Sequence, residues 1–70
     1  MTQANDANDV EALDFESAYR ELGEVITTLE AGESRLDESV ALYERGRALA
    51  AHCEALLNAA TLRVRMLGDD

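Results

Sequence analysis

Two stretches of the chain carry apolar side chains at helical spacing, and a glycine-centred turn lies between them. In the first stretch, large apolar residues recur at steps of four and three, at Phe15, Tyr19, Leu22, Ile26 and Leu29. This period is typical of one face of an amphipathic α-helix. Asp14 precedes the stretch as an N-cap, and Gly32 follows it as a residue that readily adopts the left-handed conformation ending many helices. The pattern predicts a first helix over 15–31.

The second stretch predicts a much longer helix. It begins at "SRLD", residues 34–37, a Ser-x-x-Asp pattern close to a capping box, and it has no stop signal before Gly68. This helix would extend about 50 Å, and the first helix only about 25 Å. The short turn requires the two helices to pack antiparallel. The predicted fold is therefore all-α: a coiled-coil-like, antiparallel two-helix hairpin over 14–67, in which the first helix covers roughly the first half of the second.

The two ends of the chain lack this pattern. Residues 1–13 are polar and acidic without a helical stripe, which is typical of a disordered leader, and residues 68–70 predict a short acidic tail. The leader has neither the basic nor the apolar region of a signal peptide. No apolar run is long enough to span a membrane. We therefore expect a cytoplasmic protein, and a single free cysteine agrees with a reducing compartment.

The long helix is apolar around more of its circumference than one neighbouring helix covers. We expect one side of this arc to face the first helix and the other side to face a partner. The predicted hairpin core comprises Phe15, Tyr19, Leu22, Ile26, Leu29, Leu36, Val40, Tyr43 and Ala50. The predicted partner-binding residues are Leu42, Gly46, Leu49, Cys53, Leu56, Ala60 and Leu67. Small side chains in this second set would let a partner helix approach closely. Such an approach would explain a mid-helix glycine, which costs about 1 kcal/mol relative to alanine.

Length and charge also favour a chain that works with a partner. The 70 residues allow one small domain, and a single cysteine excludes an intramolecular disulfide. A core of this size rarely contributes more than about 3–5 kcal/mol, so association is the expected source of further stability. The net charge of −9 repels nucleic acid and argues against this chain as the main DNA-gripping element.

Candidate catalytic and metal-binding groups are few, and a structural role explains each one better. His52 and Cys53 are adjacent, so on a helix their side chains diverge and do not form a reactive pair. Cys53 is expected to be a buried, inert thiol. Carboxylates crowd the turn, but those opening the second helix suit its dipole. The arginines lack interleaved aromatic residues. We expect no catalytic residue, metal site or cofactor in this chain, and no strong direct binding of nucleic acid.

Short motifs follow one another in a fixed order across both predicted helices. They are Phe15-Glu16, Leu22 and Ile26 before Leu29-Glu30-x-Gly32, then Leu36, Glu38-Ser39 and Leu42-Tyr43-Glu44-x-Gly46, then Leu49, Cys53, Leu56 and Leu57. Over residues 14–65 this ordered set resembles the small-subunit family of bacterial exodeoxyribonuclease VII.

The resemblance implies a two-helix fold and a non-catalytic role in a hydrolase that degrades single-stranded DNA to oligonucleotides. It implies that the catalytic residues belong to the large subunit, the expected partner, and that several copies of the small subunit wrap helices of the large one. The surplus apolar surface of the long helix would then be a helix-in-groove docking surface. From the residues alone, a homo-oligomeric helical adaptor for an unrelated protein stays an alternative.

Overall fold

The fold is a helical hairpin with a short third helix folded against it. The structure is a computed structural model that describes residues 7–68. Within this range α1 spans Ala7–Glu11, α2 spans Phe15–Ala31 and α3 spans Leu36–Gly68, with no strand. α2 packs along α3, and α1 makes a smaller contact with α3. The predicted all-α hairpin with one short and one long helix is confirmed.

Both ends of α2 lie where the sequence predicts them. Asp14 has an extended backbone (φ −76°, ψ 173°), and its Oδ1 accepts a hydrogen bond of 2.8 Å from the backbone N–H of Ser17. Gly32 has φ 68° and ψ 21°, and its N–H donates to the carbonyl oxygen of Leu29 at 3.2 Å. The left-handed conformation is costly for a residue with a Cβ atom, which explains the glycine.

The start of α3 differs from the predicted start at Ser34. The first helical residue is Leu36, so Arg35 is the N-cap, and its backbone N–H donates to Glu38 Oε1 at 3.2 Å. This hydrogen bond, from the N-cap N–H to the side chain three residues later, is one of the two that form a capping box. It lies one residue later than the "SRLD" pattern indicates. Glu38 is long enough to reach back across the turn, whereas Asp37 Oδ1 accepts from the N–H of Glu38 at 2.8 Å and lies 3.7 Å from Arg35 Nε.

Residues 7–13 correct the prediction of a disordered leader over 1–13. α1 occupies the middle of this segment, and Val10 is only 2% exposed. The carbonyl oxygen of Leu13 lies 2.8 Å from His52 Nε2. The segment has only two large apolar residues, too few to establish a helical period, and it is ordered by contacts with α3. The remaining leader residues, 1–6, and the tail residues 69–70 lie outside the described range.

The core lies along the seam between α2 and α3. In α2 the seam residues follow steps of three and four, at Phe15, Ala18, Leu22, Val25 and Leu29. In α3 the same spacing gives Leu42, Gly46, Leu49, Cys53 and Leu56. Ala18, Val25, Leu49 and Cys53 are buried, and the other members of the seam are half-buried. This is the spacing of a coiled coil, so the hairpin is a short antiparallel one.

The seam is rotated relative to the predicted hairpin core. Leu36, Tyr19 and Tyr43 are 81%, 63% and 60% exposed. Also exposed are the other predicted core residues that lie outside the seam, Ile26, Val40 and Ala50. The predicted core is therefore wrong for these six residues. The seam lies along the rows that contain small side chains because small side chains let two helix axes approach each other more closely than large ones do.

The same rotation places most of the predicted partner-binding residues inside the hairpin. Leu49 is fully buried and Cys53 is buried, which corrects their assignment to a partner surface. A Cβ atom added to Gly46 would lie 3.3 Å from Val25 Cγ1, so this glycine permits the close approach of α2. The half-buried Leu42, Gly46 and Leu56 also lie in the seam, whereas Ala60 and Leu67 are exposed beyond it.

Candidate functional site

The nucleophilic and acid–base groups at the centre of α3 are engaged within the fold. Cys53 is a free, buried thiol. His52 is half-buried. Because a carbonyl oxygen only accepts, His52 Nε2 donates the hydrogen bond to Leu13. Among the described residues, no three His, Cys, Asp or Glu side chains are grouped so that they could hold a metal ion.

One side of the hairpin is closed by α1 and by a charged cluster centred on Arg45. Arg45 Nε donates to Glu21 Oε2 at 2.6 Å, and Arg45 Nη2 lies 3.1 Å from Asp9 Oδ2. The Arg45 side chain is 13% exposed. The hydrogen bond to Glu21 is the main reason why the pKa of Arg45 lies above its ordinary value. This guanidinium therefore ties all three helices together and is not presented to a phosphate backbone.

The opposite side of the hairpin presents apolar side chains to solvent. On α2, helical geometry places Glu21 on one flank of the buried stripe and Tyr19 and Ile26 on the other. On α3, Arg45 lies on one flank of Leu49 and Tyr43 on the other. Because Arg45 contacts Glu21, those two flanks share one side of the hairpin. The flanks that carry the tyrosines must therefore share the other side.

We call this second surface the apolar face, and it comprises Tyr19, Ile26, Tyr43, Ala50 and Leu57. All five residues are exposed. The ring of Tyr19 stacks on that of Phe15, with centroids 5.6 Å apart and planes 17° apart, which holds it in place. Contiguous apolar surface of this kind is typical of sites where another protein binds. Sequence reasoning found four of these residues but placed Tyr19, Ile26, Tyr43 and Ala50 in the hairpin core.

Beyond Leu56, α3 continues without a neighbouring helix from the described residues 7–68. We call residues 57–68 the overhang, and every residue in it is exposed. Its length is about 18 Å at the usual rise per residue. Its large apolar side chains include Leu62, Val64, Met66 and Leu67, the last of which is 78% exposed. The prediction that the first helix covers only part of the second is confirmed.

Neither the overhang nor any other helix in residues 7–68 combines the length and the hydrophobicity needed to cross a bilayer. The exposed apolar residues are interrupted by charged ones, as at Arg63 and Arg65.

Comparison with known proteins assigns the hairpin to a family. Residues 15–66 match the model of the family described as "Exonuclease VII small subunit". The "Exodeoxyribonuclease 7 small subunit" of Agrobacterium fabrum (strain C58) is 48% identical over 67 residues, which are 96% of this chain and 78% of that protein. The protein of the same name from Sinorhizobium medicae (strain WSM419) is 51% identical over 59 residues, 84% of this chain and 71% of that one. No solved structure matches the chain. By sequence, the chain belongs to the exonuclease VII small subunit family.

Proposed function

We propose that this chain is a non-catalytic subunit of exonuclease VII and that its apolar face binds helices of the large subunit. In this role it supports the large subunit in degrading single-stranded DNA to oligonucleotides. The observation that carries the proposal is that a member of a small-subunit family leaves a continuous apolar surface open along both hairpin helices. A protein that works as a monomer rarely leaves a large contiguous apolar surface exposed to solvent.

The shape of the apolar face suits a helix as its ligand. Two packed helices leave a groove between them on each side of their contact. On the apolar face, helical geometry places Tyr19 and Ile26 at the α2 edge of this groove and Tyr43 at its α3 edge. Ala50 lies farther along the α3 edge, where its small side chain leaves room for an incoming helix backbone. A third helix in this groove would extend the coiled-coil packing of the hairpin. Tyrosine is enriched at protein interfaces because it combines a large apolar ring with a polar tip.

The non-catalytic part of the proposal rests on where the reactive groups of this chain lie. Hydrolysis of a phosphodiester requires groups held together near the scissile bond, such as a base or carboxylates for a metal ion. Here the Cys53 thiol is buried, His52 is bound to a backbone carbonyl, and Glu21 is paired with Arg45. These groups stabilise the hairpin, so the proposal leaves the chemistry to the large subunit.

Substitutions at three consecutive residues of α2 test the proposal. Ile26→Glu should keep its helicity, because Ile26 is exposed, and should abolish co-purification with a tagged large subunit, because the charge would be buried unpaired. Thr27→Glu is the matched control: Thr27 is exposed and its flank lies away from the apolar face. It should keep both helicity and binding. Val25→Glu should unfold the hairpin, because Val25 lies in the seam.

The same variants should be assayed for degradation of single-stranded DNA by the reconstituted complex. We expect Ile26→Glu to lower activity and Thr27→Glu to leave it unchanged, while the small subunit alone should show none. If Ile26→Glu and Thr27→Glu bound the large subunit equally well, the apolar face would not be the docking surface. Cleavage by the purified small subunit alone would contradict the non-catalytic role.

A further inference from the structure

The hairpin has a groove on each side of its seam, so a third helix has two places to dock. One groove lies on the apolar face; we call the other side, which carries Glu21 and Arg45, the closed side. We propose that α1 is an autoinhibitory segment that occupies the groove of the closed side and so confines a partner helix to the apolar face. This role rests on the proposed function, because the excluded element is a helix of the large subunit.

α1 is seated on the closed side as a helix bound in a groove would be. Val10 is only 2% exposed and belongs to the same buried cluster as Leu49 and Cys53. Asp9 Oδ2 lies 3.1 Å from Arg45 Nη2. One apolar anchor and one carboxylate therefore hold α1 in place, which is a common way for a short helix to bind a groove. This surface of α3 accepts a helix in the structure itself.

α1 fills only part of the groove that it occupies. Its length is about 7.5 Å at the usual rise per residue. A cavity of about 290 Å³ lies beside it, lined by Val10, Glu11, Ala48, Ala51, His52 and Ala55. A second cavity of about 530 Å³, whose lining includes Glu21, Val25 and Leu42, lies on the same side. The space and the small side chains along α3 would admit a longer helix if α1 were detached.

The short connection between α1 and α2 makes α1 an effective competitor for this groove. Only residues 12–14 join the two helices, and the carbonyl oxygen of Leu13 in this connection accepts a hydrogen bond of 2.8 Å from His52 Nε2. A segment on so short a tether has an effective concentration of about a millimolar. A contact too weak to hold a separate five-residue peptide can therefore keep an untethered helix out.

The two sides of the hairpin differ in what a partner helix must displace. On the apolar face, Tyr19, Ile26 and Tyr43 are exposed, so a helix displaces only solvent there. On the closed side it must first detach α1 and separate Asp9 from Arg45. Specificity is a difference between two affinities, and this obstacle lowers the affinity of one side only.

Detaching α1 in the full chain tests whether it covers the groove. Val10→Asp would place a charge in the buried cluster, and Asp9→Arg would place like charges beside Arg45. Asp9 is partly exposed, so its substitution does not disturb the core. Ala12→Asp is the matched control, because Ala12 is exposed. Circular dichroism should show intact α2 and α3 in all three. Cys53 should react with N-ethylmaleimide at least about tenfold faster in the two release variants, and at the wild-type rate in the control.

Co-purification with a tagged large subunit tests whether α1 excludes a partner helix. Ile26→Glu alone should lose binding, as proposed above. Adding Val10→Asp or Asp9→Arg to it should restore binding through the opened groove, whereas adding Ala12→Asp should not. Val10→Asp with an unchanged apolar face should bind as the wild-type chain does.

The outcomes separate this inference from the proposed function. Unchanged thiol reactivity in both release variants would show that α1 does not cover the groove. Failure of both double variants to bind would show that the opened groove accepts no partner helix. Loss of binding by Val10→Asp alone, with helicity retained, would make α1 part of the docking surface. Each of these results overturns the autoinhibitory role and leaves the proposed function intact, whereas binding by Ile26→Glu with α1 in place would overturn both.

Discussion

Replacing Leu49 by alanine tests the position of the seam most directly. Leu49 is fully buried, whereas the sequence pattern placed it on a partner surface. If the hairpin buries this side chain, the isolated chain must lose stability on its truncation even when no partner is present. If Leu49 faced a partner, the isolated chain would lose little.

The expected loss follows from burial. Leucine-to-alanine changes at buried sites cost about 2–5 kcal/mol, which combines the lost transfer free energy with the cost of the cavity. A seam between only two helices relaxes more readily than the centre of a large core, so we expect about 2–3 kcal/mol, at the lower end. A chain of this size rarely has more than about 3–5 kcal/mol in total. Leu49→Ala should therefore remove most of the free energy of unfolding.

Urea denaturation followed by circular dichroism measures this loss, in solution dilute enough that the chain is monomeric. Leu62→Ala is the matched control, because Leu62 lies in the same helix and is 56% exposed on the overhang. It should change the free energy of unfolding by less than about 0.5 kcal/mol. Equal losses for the two variants would refute the reasoning, since the core would then not lie along the seam.

Four further predictions concern the helices and their ends. Gly23→Ala should raise the free energy of unfolding by about 0.5–1 kcal/mol in urea, because an added Cβ atom meets nothing within 4 Å. Gly46→Ala should gain less or destabilise, because its Cβ atom would lie 3.3 Å from Val25 Cγ1; a larger gain than at Gly23 would contradict this packing. Arg45→Ala should cost about 1–2 kcal/mol, because two carboxylates would lose their partner, and a neutral result would show that the cluster contributes nothing. Hydrogen bonds from the first turn of α2 lower the pKa of Asp14 below 3.8, so its stabilisation is present above that pH and is lost as the pH falls through the lowered value. The melting temperatures of wild type and Asp14→Ala should differ at neutral pH and converge in acid; a constant difference would contradict this.

Local signals predicted the hairpin well. Three signals define α2: the helical period of its large apolar residues, the cap at Asp14 and the stop at Gly32. All three lie in or directly beside α2, so its position could be predicted from that segment alone. The length of α3 followed in the same way from the lack of any stop before Gly68. These features depend on neighbours in the chain and not on tertiary contacts.

Local signals could not predict which row of residues on α3 faces α2. The apolar arc of α3 contains two rows at the same seven-residue spacing, one through Tyr43 and Ala50 and the other through Gly46 and Cys53. Hydrophobicity and size favour the row with tyrosine and leucine as core. Close packing against Ala18 and Val25 favours the small row, and this contact is tertiary. A small residue within α2, Ala18, was the signal in the sequence that pointed to close helix approach.

α1 was missed for a related reason. Its order depends on residues far away in the chain, since Asp9 pairs with Arg45 and Leu13 binds His52. Five helical residues do not form a stable helix alone, because nucleation is costly. The exposed apolar face was likewise present in the sequence as a set of residues, but its exposure was decided by the rotation of the seam.

The antiparallel geometry also predicts the order in which the contacts of this chain form during folding. Arg45 and Glu21 are separated by 24 residues, and His52 and Leu13, which enclose them, by 39. Closing the inner pair first shortens the loop that the outer pair must close, so zipping from the Gly32 turn outward is the less costly route. The contacts of α1 then form last and open first, and amide hydrogen exchange should be faster in α1 than around Val25. During synthesis, the buried stripe of α2 is made before any part of the α3 that covers it.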